Sequence, residues 1–485
     1  MTNNRFRYSP RNAKPKGLRV LVIQPDISRR FVSSFGIFPS CGPNMIATVA
    51  NHAGHKATLM DPYMQALKGC STENKLHDWI SNYVENESID VLGVSAVLQT
   101  RFKALEIANI LKRKHPSMFV ILGGPGPALF AERILSEWDH CVDAVAIGDG
   151  ESTFVGVLDA LEHGLHASKI PGLVCKETKN SGLCFPSSQR NIEDLDSLPF
   201  PDYSHYLPYC PSGKIKRICV LTSRGCAFNC SFCGTRAMWG NVRYRSPESV
   251  IKEIKYQHST CGVEEIRFHD DTFGMHEQQT LDILEGVKKL GLNLRIYAHS
   301  RVDIMSDSIL RLFKDAGGVS LYYGIESGSE MIRGLMGKRC TNKEIIEVCN
   351  ATKKMGIGLG VFLMFGYPGE TKEDVYDTYK LCEEVEPDDV YCAVTKIQPG
   401  TGLYQYAIDN GLITDDIWLR DRQEYYTFAR DKELDIAKGL QILFYERFSR
   451  QPLRSAFEKN NDLDDVLDDP MKMGHLKELA SRYLQ

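Results

Sequence analysis

The feature that most constrains this chain is a double alternation: short apolar runs trade places with helical patterns, stop at a proline-rich stretch, and then begin again. From Leu18 the first round reads LRVLVIQP, a helical pattern near 44–53, KATLMD, another near 74–86, DVLGVSAV, 101–114, FVILGGPG, 128–137 and DAVAIGDG. Alternation of this kind predicts α/β architecture with a parallel, doubly wound sheet. The strands run into Pro25-Asp26, Asp61-Pro62, Ser95 to Thr100, Gly123 to Pro127 and Gly148 to Gly150, so loop-forming residues gather at the carboxyl ends. Sheets of this class bind ligands there. After a polar tail over 1–17, residues 18–165 therefore read as a Rossmann-like cofactor-binding domain.

Residues 166–215 read as a linker, because Pro171, Pro186, Pro199, Pro201, Pro208 and Pro211 and the TKNSG and SSQRN clusters break regular elements. The second round supplies strands at 218–222, 264–269, 294–298, 319–325, 359–365 and 389–396, with helical patterns near 247–258, 276–290, 306–316, 342–355 and 372–385 between them. Six strand–helix units over 216–404 predict a partial (β/α)6 barrel. From 405 to 485 the sequence turns helical and charged, then acidic at DLDDVLDDP, which predicts a small helical C-terminal region.

Composition limits the function. At 485 residues, 43% hydrophobic and 25% charged, the chain has apolar material for sizeable cores, and disordered or fibrous classes are excluded. Fifty-eight Lys and Arg against 62 Asp and Glu give a net charge of -4, without the basic excess that nucleic acid attracts. The basic start leads into no apolar h-region, and no later run of about 20 residues lacks polar interruption, so a cytoplasmic protein with no transmembrane segment is expected. Most of the 15 cysteines sit singly in apolar segments, as Cys219 and Cys392 do, and read as buried thiols.

Three do not. Directly after the first strand of the second round stands Arg224-Gly225-Cys226-Ala227-Phe228-Asn229-Cys230-Ser231-Phe232-Cys233-Gly234, with the spacing C-x3-C-x2-C. Three thiolates within eight residues can wrap one face of a cubane cluster, whereas a structural zinc wants a fourth ligand at similar short range. Cys210, Cys219 and Cys261 lack the paired spacing of a zinc ribbon; a zinc knuckle or chance thiols remain the bland alternative. The spacing and Phe232 before the third cysteine resemble the radical S-adenosylmethionine superfamily, as do RYRSPESVIKEI, IRFHDDTF, AHSRVD, YYGIESGSE and LMFGYPGET in order along the barrel. The resemblance implies a [4Fe–4S] cluster on Cys226, Cys230 and Cys233, with S-adenosylmethionine at the open iron. It also implies cofactor contacts at Phe232, Asp270, Asp271, Arg301, Glu326 and Gly366; solvated strand ends or a buried Arg–Glu pair are the structural alternatives.

The stretches FPSCGPNMIATVANHAGHKATLMD, ILGGPGPALFAERIL and VDAVAIGDGE resemble the cobalamin-binding domain that precedes the radical barrel in cobalamin-dependent radical S-adenosylmethionine enzymes, close to class B methyltransferases. The resemblance implies cobalamin along the carboxyl ends of the first sheet, with room for its tail at Gly123, Gly124 and Gly148. No D-x-H-x-x-G motif is present, so His52 and His55 are expected to be ordinary helix-end histidines and not cobalt ligands. The implied activity is methyl transfer to an unactivated carbon, or phosphorus, of a small secondary metabolite or a lipid, with a flavodoxin- or ferredoxin-type electron donor. A radical dehydratase, cyclase or epimerase is the alternative, and a non-catalytic iron–sulfur or corrinoid carrier a third. No catalytic side chain is identified by the sequence.

Overall fold

A computed structural model describes residues 17–25, 39–61, 73–176, 183–184, 191–210, 212–421, 426–450, 463, 466 and 469–484. The polar tail before Gly17 and parts of the expected linker and acidic stretch lie outside them. The chain divides into two compact units, residues 1–215 with 415–424, and residues 216–414 with 425–485.

The first unit is built on β1 (Arg19–Ile23), β2 (Lys56–Met60), β3 (Val91–Ser95), β4 (Phe119–Gly123), β5 (Ala144–Ala146), β6 (Leu173–Lys176) and β7 (Leu183–Cys184). The sheet order is β2-β1-β3-β4-β5-β6-β7, parallel as far as β5. In β1, Val20 to Ile23 are all buried, as a central strand covered on both faces requires. Helices Cys41–His52, Glu73–Glu87, Arg101–Lys114, Ala131–Glu137 and Gly150–Glu162 alternate with the strands. Chain order reverses beside β1, and the crevice outside the carboxyl ends of β1 and β3 is where such sheets take ligands.

Two features differ from the sequence reading. The stretch read as an irregular linker contributes β6 and β7, which extend the sheet antiparallel from β5. Leu173, Val174 and Cys175 are buried there, a run too short to stand out among the surrounding prolines. Residues 415–421, read as part of the helical C-terminal region, belong to the first unit, where a buried Arg101 holds them. Its guanidinium donates to the carbonyls of Trp418 (2.5 Å) and Asp421 (3.0 Å), and Trp418 stacks on Phe130.

The second unit carries β8 (Arg217–Val220), β9 (Ser223–Arg224), β10 (Arg243–Tyr244), β11 (Glu265–Phe268), β12 (Arg295–Ser300), β13 (Gly318–Glu326), β14 (Gly358–Phe365) and β15 (Asp389–Val394). Six of these form one parallel sheet in the order β15-β14-β13-β12-β11-β8, with a helix after each of β11 to β14, which is the partial (β/α)6 arrangement. On β13, Leu321, Tyr323 and Ile325 are fully buried, whereas Ser320, Tyr322 and Gly324 on the opposite face are half-buried. Short β9 and β10 pair antiparallel and brace the loop that leaves β8. Helices Asp431–Phe448 and Pro470–Leu484 share a core of Ile442, Leu463, Val466 and Leu476.

Candidate active site

The loop after β8 brings Cys226, Cys230 and Cys233 to the carboxyl end of the barrel sheet, and two carboxylates following β11 fix its course. Asp270 Oδ1 accepts the backbone N–H groups of Thr222 (2.6 Å) and Ser223 (2.9 Å), and its Oδ2 accepts the Thr222 hydroxyl at 2.6 Å. Burial pushes the Asp270 carboxyl up to about 6, against these hydrogen bonds. Asp271 accepts the Gly225 N–H at 3.0 Å and the Thr235 hydroxyl at 3.1 Å, tying the beginning of the cysteine segment to its end. The middle is held at Ser231, whose N–H donates to Met336 O (3.0 Å) and whose carbonyl accepts from Leu403 N (2.8 Å).

Cys226 and Cys230 are half-buried and Cys233 is exposed. Thr272 Oγ1 lies 3.4 Å from Cys226 Sγ, the Cys233 thiol donates to Thr235 Oγ1 at 3.3 Å, and Arg301 Nη1 donates to Cys230 Sγ at 3.5 Å. Burial pushes the Cys230 thiol up, and the charges of Lys338 and Arg301 oppose that shift.

Arg301 and Glu326 each have a partner of their own rather than each other. Arg301 forms a two-point pair with Asp303 (2.9 and 2.7 Å) and lies over the Phe228 ring, 3.7 Å from its centroid. Glu326 meets Lys338 Nζ at 2.7 Å and sits at φ +68°, a left-handed conformation rare outside glycine that marks imposed strain. Phe232 packs against Ile332, Met336, Tyr367 and Leu403. The Gly366 N–H donates to Glu370 Oε2 at 2.6 Å; burial pushes the Glu370 carboxyl up to about 8, and among the described residues its buried Oε1 has no hydrogen-bond partner. Sequence reading missed Thr235, Thr272, Lys338 and Glu370. Thr235 adjoins the cysteine segment, Thr272 lies inside IRFHDDTF and Glu370 closes GYPGE, but nothing in the sequence points to Lys338, twelve residues past Glu326.

On the same sheet, His299, Tyr322, Phe362 and Tyr391 form a row of half-buried rings across β12 to β15, with neighbouring centroids 5.1 to 5.7 Å apart. The Tyr322 hydroxyl donates to Asp389 Oδ2 at 2.6 Å, which locks that ring.

At the carboxyl edge of the first sheet the expected glycines divide. A Cβ on Gly124 (φ +92°) would lie 2.5 Å from Ala96 O, so this glycine lets two loops of the protein itself touch. At Gly123 a Cβ would meet nothing nearer than Ala146 Cβ at 3.8 Å. Gly148 has φ +81°. His55 lies at the opposite end of the unit: its Nδ1 accepts the N–H of Leu18, just before β1, at 3.1 Å. That leaves the ring proton on Nε2, 3.5 Å from Asp159.

Residues 220–382 match the Radical SAM superfamily, and residues 30–158 match the B12 binding domain. A relative described as an uncharacterized methyltransferase, from Pyrococcus horikoshii, is 31% identical over 413 residues, covering 83% of this chain and 86% of its own. The chain belongs to the radical SAM enzymes that carry a B12-binding domain. An anaerobic magnesium-protoporphyrin IX monomethyl ester cyclase of Rubrivivax gelatinosus is 24% identical, covering 80% of this chain and 70% of the cyclase. The radical S-adenosylmethionine methyltransferase TsrM of Kitasatospora setae, solved with cobalamin and a [4Fe-4S] cluster bound, shares the fold with a TM-score of 0.67 at 16% identity, covering 81% of this chain and 78% of TsrM.

A radical SAM enzyme with this domain uses a [4Fe–4S] cluster, S-adenosylmethionine and cobalamin. The residues present fit these groups. Three thiols in one loop at the carboxyl end of the barrel sheet, with Arg301 donating to the Cys230 sulfur, suit an iron–sulfur cluster whose sulfurs accept hydrogen bonds. Gly123, at the carboxyl end of β4, stands where sheets of this class take ligands. Among the described residues no helix is long and apolar enough to cross a membrane.

Proposed function

We propose that this radical SAM enzyme is a cobalamin-dependent methyltransferase acting on an unactivated carbon, or phosphorus, of a small secondary metabolite or lipid. The observation that carries the reading is the relative described as a methyltransferase, aligned with 83% of this chain. Cys226, Cys230 and Cys233 would hold the cluster; Phe232, Asp270, Asp271, Arg301, Glu326 and Gly366 would border S-adenosylmethionine; Gly123, Gly124 and Gly148 would border cobalamin. When bound, the cluster and S-adenosylmethionine supply a radical that removes hydrogen from substrate, and cobalamin supplies the methyl group. Asp270 and Asp271 hold the cysteine loop in register, and Arg301 places positive charge beside the Cys230 sulfur. The ring row from His299 to Tyr391 is the wall that a substrate entering the barrel would meet. The reading requires a low-potential electron donor of flavodoxin or ferredoxin type, and places the enzyme in the cytoplasm. The cyclase relative favours a second reading, radical ring closure without methyl transfer.

The test supplies methyl-labelled S-adenosylmethionine, a low-potential reductant and a small-molecule extract of the source organism. Methyl transfer gives a labelled product with both S-adenosylhomocysteine and 5′-deoxyadenosine. Product formed with 5′-deoxyadenosine alone, and carrying no label, would establish the cyclase-type reading instead.

A further inference from the structure

The last two strands of the first sheet, β6 and β7, pair antiparallel, and each carries a cysteine. In their register Cys175 stands directly opposite Cys184, next to the pair Lys176 and Leu183. Opposed residues of an antiparallel pair have Cα atoms roughly 4.5–5.5 Å apart and turn their side chains to the same face. A disulfide spans Cα separations of about 4.4–6.8 Å, so this register puts the two sulfurs within reach of one bond. Both are thiols in this structure.

Exposure sets this pair apart. Cys184 lies half-buried on the outermost strand, whereas Cys175 is 3% exposed between Ala144 of β5 and Cys184. A reagent arriving from solvent therefore meets Cys184 first. Cys349, Cys382 and Cys392 of the second unit are buried, and burial pushes all three thiols up, Cys349 to about 12, which withholds the thiolate that exchange requires. The hairpin is also tied to the carboxyl edge of the sheet: the Ile147 N–H, just before Gly148, donates to Gly172 O, just before β6, at 2.7 Å.

We propose that Cys175 and Cys184 are a redox-modifiable pair that closes into a cross-strand disulfide by exchange with a low-molecular-weight disulfide, clasping the outer hairpin of the first sheet. The Cys184 thiolate attacks one sulfur of the small disulfide and releases the first small thiol; Cys175, giving up its proton, attacks the mixed disulfide and releases the second. One S–S bond breaks and one forms, so the two protein thiols are oxidised and the small disulfide is reduced to two thiols. The proposal rests neither on cobalamin binding nor on methyl transfer.

The test uses the full-length chain with its cluster reconstituted, held without oxygen in glutathione disulfide, then quenched in acid and alkylated. Trypsin cuts after Lys169, Lys176, Lys179 and Arg190, so only the disulfide joins peptide 170–176 to peptide 180–190. The joined species should appear in most chains and vanish on treatment with dithiothreitol. The oxidised chain should melt about 2 °C or more above the dithiol form. Cys184→Ser should give neither the joined species nor the rise; a rise in that variant would assign the effect to another thiol and overturn the proposal. Glutathione carried on Cys184 with no joined species would overturn it too, as would a joined form that melts no higher than the dithiol.

Discussion

Asp270 shows how one residue can carry a site without being legible as doing so. Its place in the IRFHDDTF stretch marked it for the cofactor, yet its two oxygens take three hydrogen bonds from Thr222 and Ser223, immediately before the cysteine segment. A carboxylate can be picked out in a motif, but the donors that converge on it come from residues nearly fifty positions away and are set by the sheet. Asp270→Ala removes all three bonds, costs roughly 3 kcal/mol, and should lower iron and sulfide uptake on anaerobic reconstitution to less than half. Asp270→Asn should behave close to the unmutated protein, because its Oδ1 can accept both N–H groups while its Nδ2 donates to the Thr222 hydroxyl. Equal iron content in the Ala variant would contradict the clamp. The spacing of the three cysteines is local and can be read from the sequence; the contact of Lys338 with Glu326, across a helix and a turn, cannot.

Among the elements, most strands and helices of both rounds appear where the apolar periodicity puts them, within a few residues: 359–365 against Gly358–Phe365, and 342–355 against Asn342–Lys354. The strands β6, β7, β9 and β10 escaped, because they pair antiparallel outside the strand–helix alternation that marks the equally short β5, β8 and β11. The loops ending β3 and β4 carry a distinction that composition hides, since Gly123 and Gly124 look alike in sequence and differ in space. Gly124→Ala forces a Cβ against Ala96 O in a left-handed conformation, should destabilise the first unit by about 2–3 kcal/mol, and should be read as a lower melting temperature with or without corrinoid. Gly123→Leu should leave the melting temperature of the cobalamin-free protein within about 2 °C and weaken hydroxocobalamin binding about tenfold. The reverse pattern would mean that the cofactor does not lie along β4.

For the molecule as a whole, the sequence order of the two alternations was enough to expect a cofactor-binding sheet followed by a barrel sheet, and both are present. The return of residues 415–421 to the first unit was not legible, because nothing in that segment's composition says that a buried arginine more than 300 residues earlier will bind its carbonyls. The central claim is that one chain carries out two uses of S-adenosylmethionine, radical formation in one unit and methyl transfer through cobalamin in the other. The most direct test reconstitutes the full-length protein with iron, sulfide and hydroxocobalamin, then supplies a low-potential reductant and S-adenosylmethionine deuterated at its methyl group. Both S-adenosylhomocysteine, up to one per bound corrinoid and with deuterium in the corrinoid fraction, and slower 5′-deoxyadenosine should form. Cys230→Ala should abolish the 5′-deoxyadenosine while corrinoid stays bound. Bound corrinoid that gains no deuterium, together with 5′-deoxyadenosine formed at the same rate whether or not corrinoid is present, would contradict the claim.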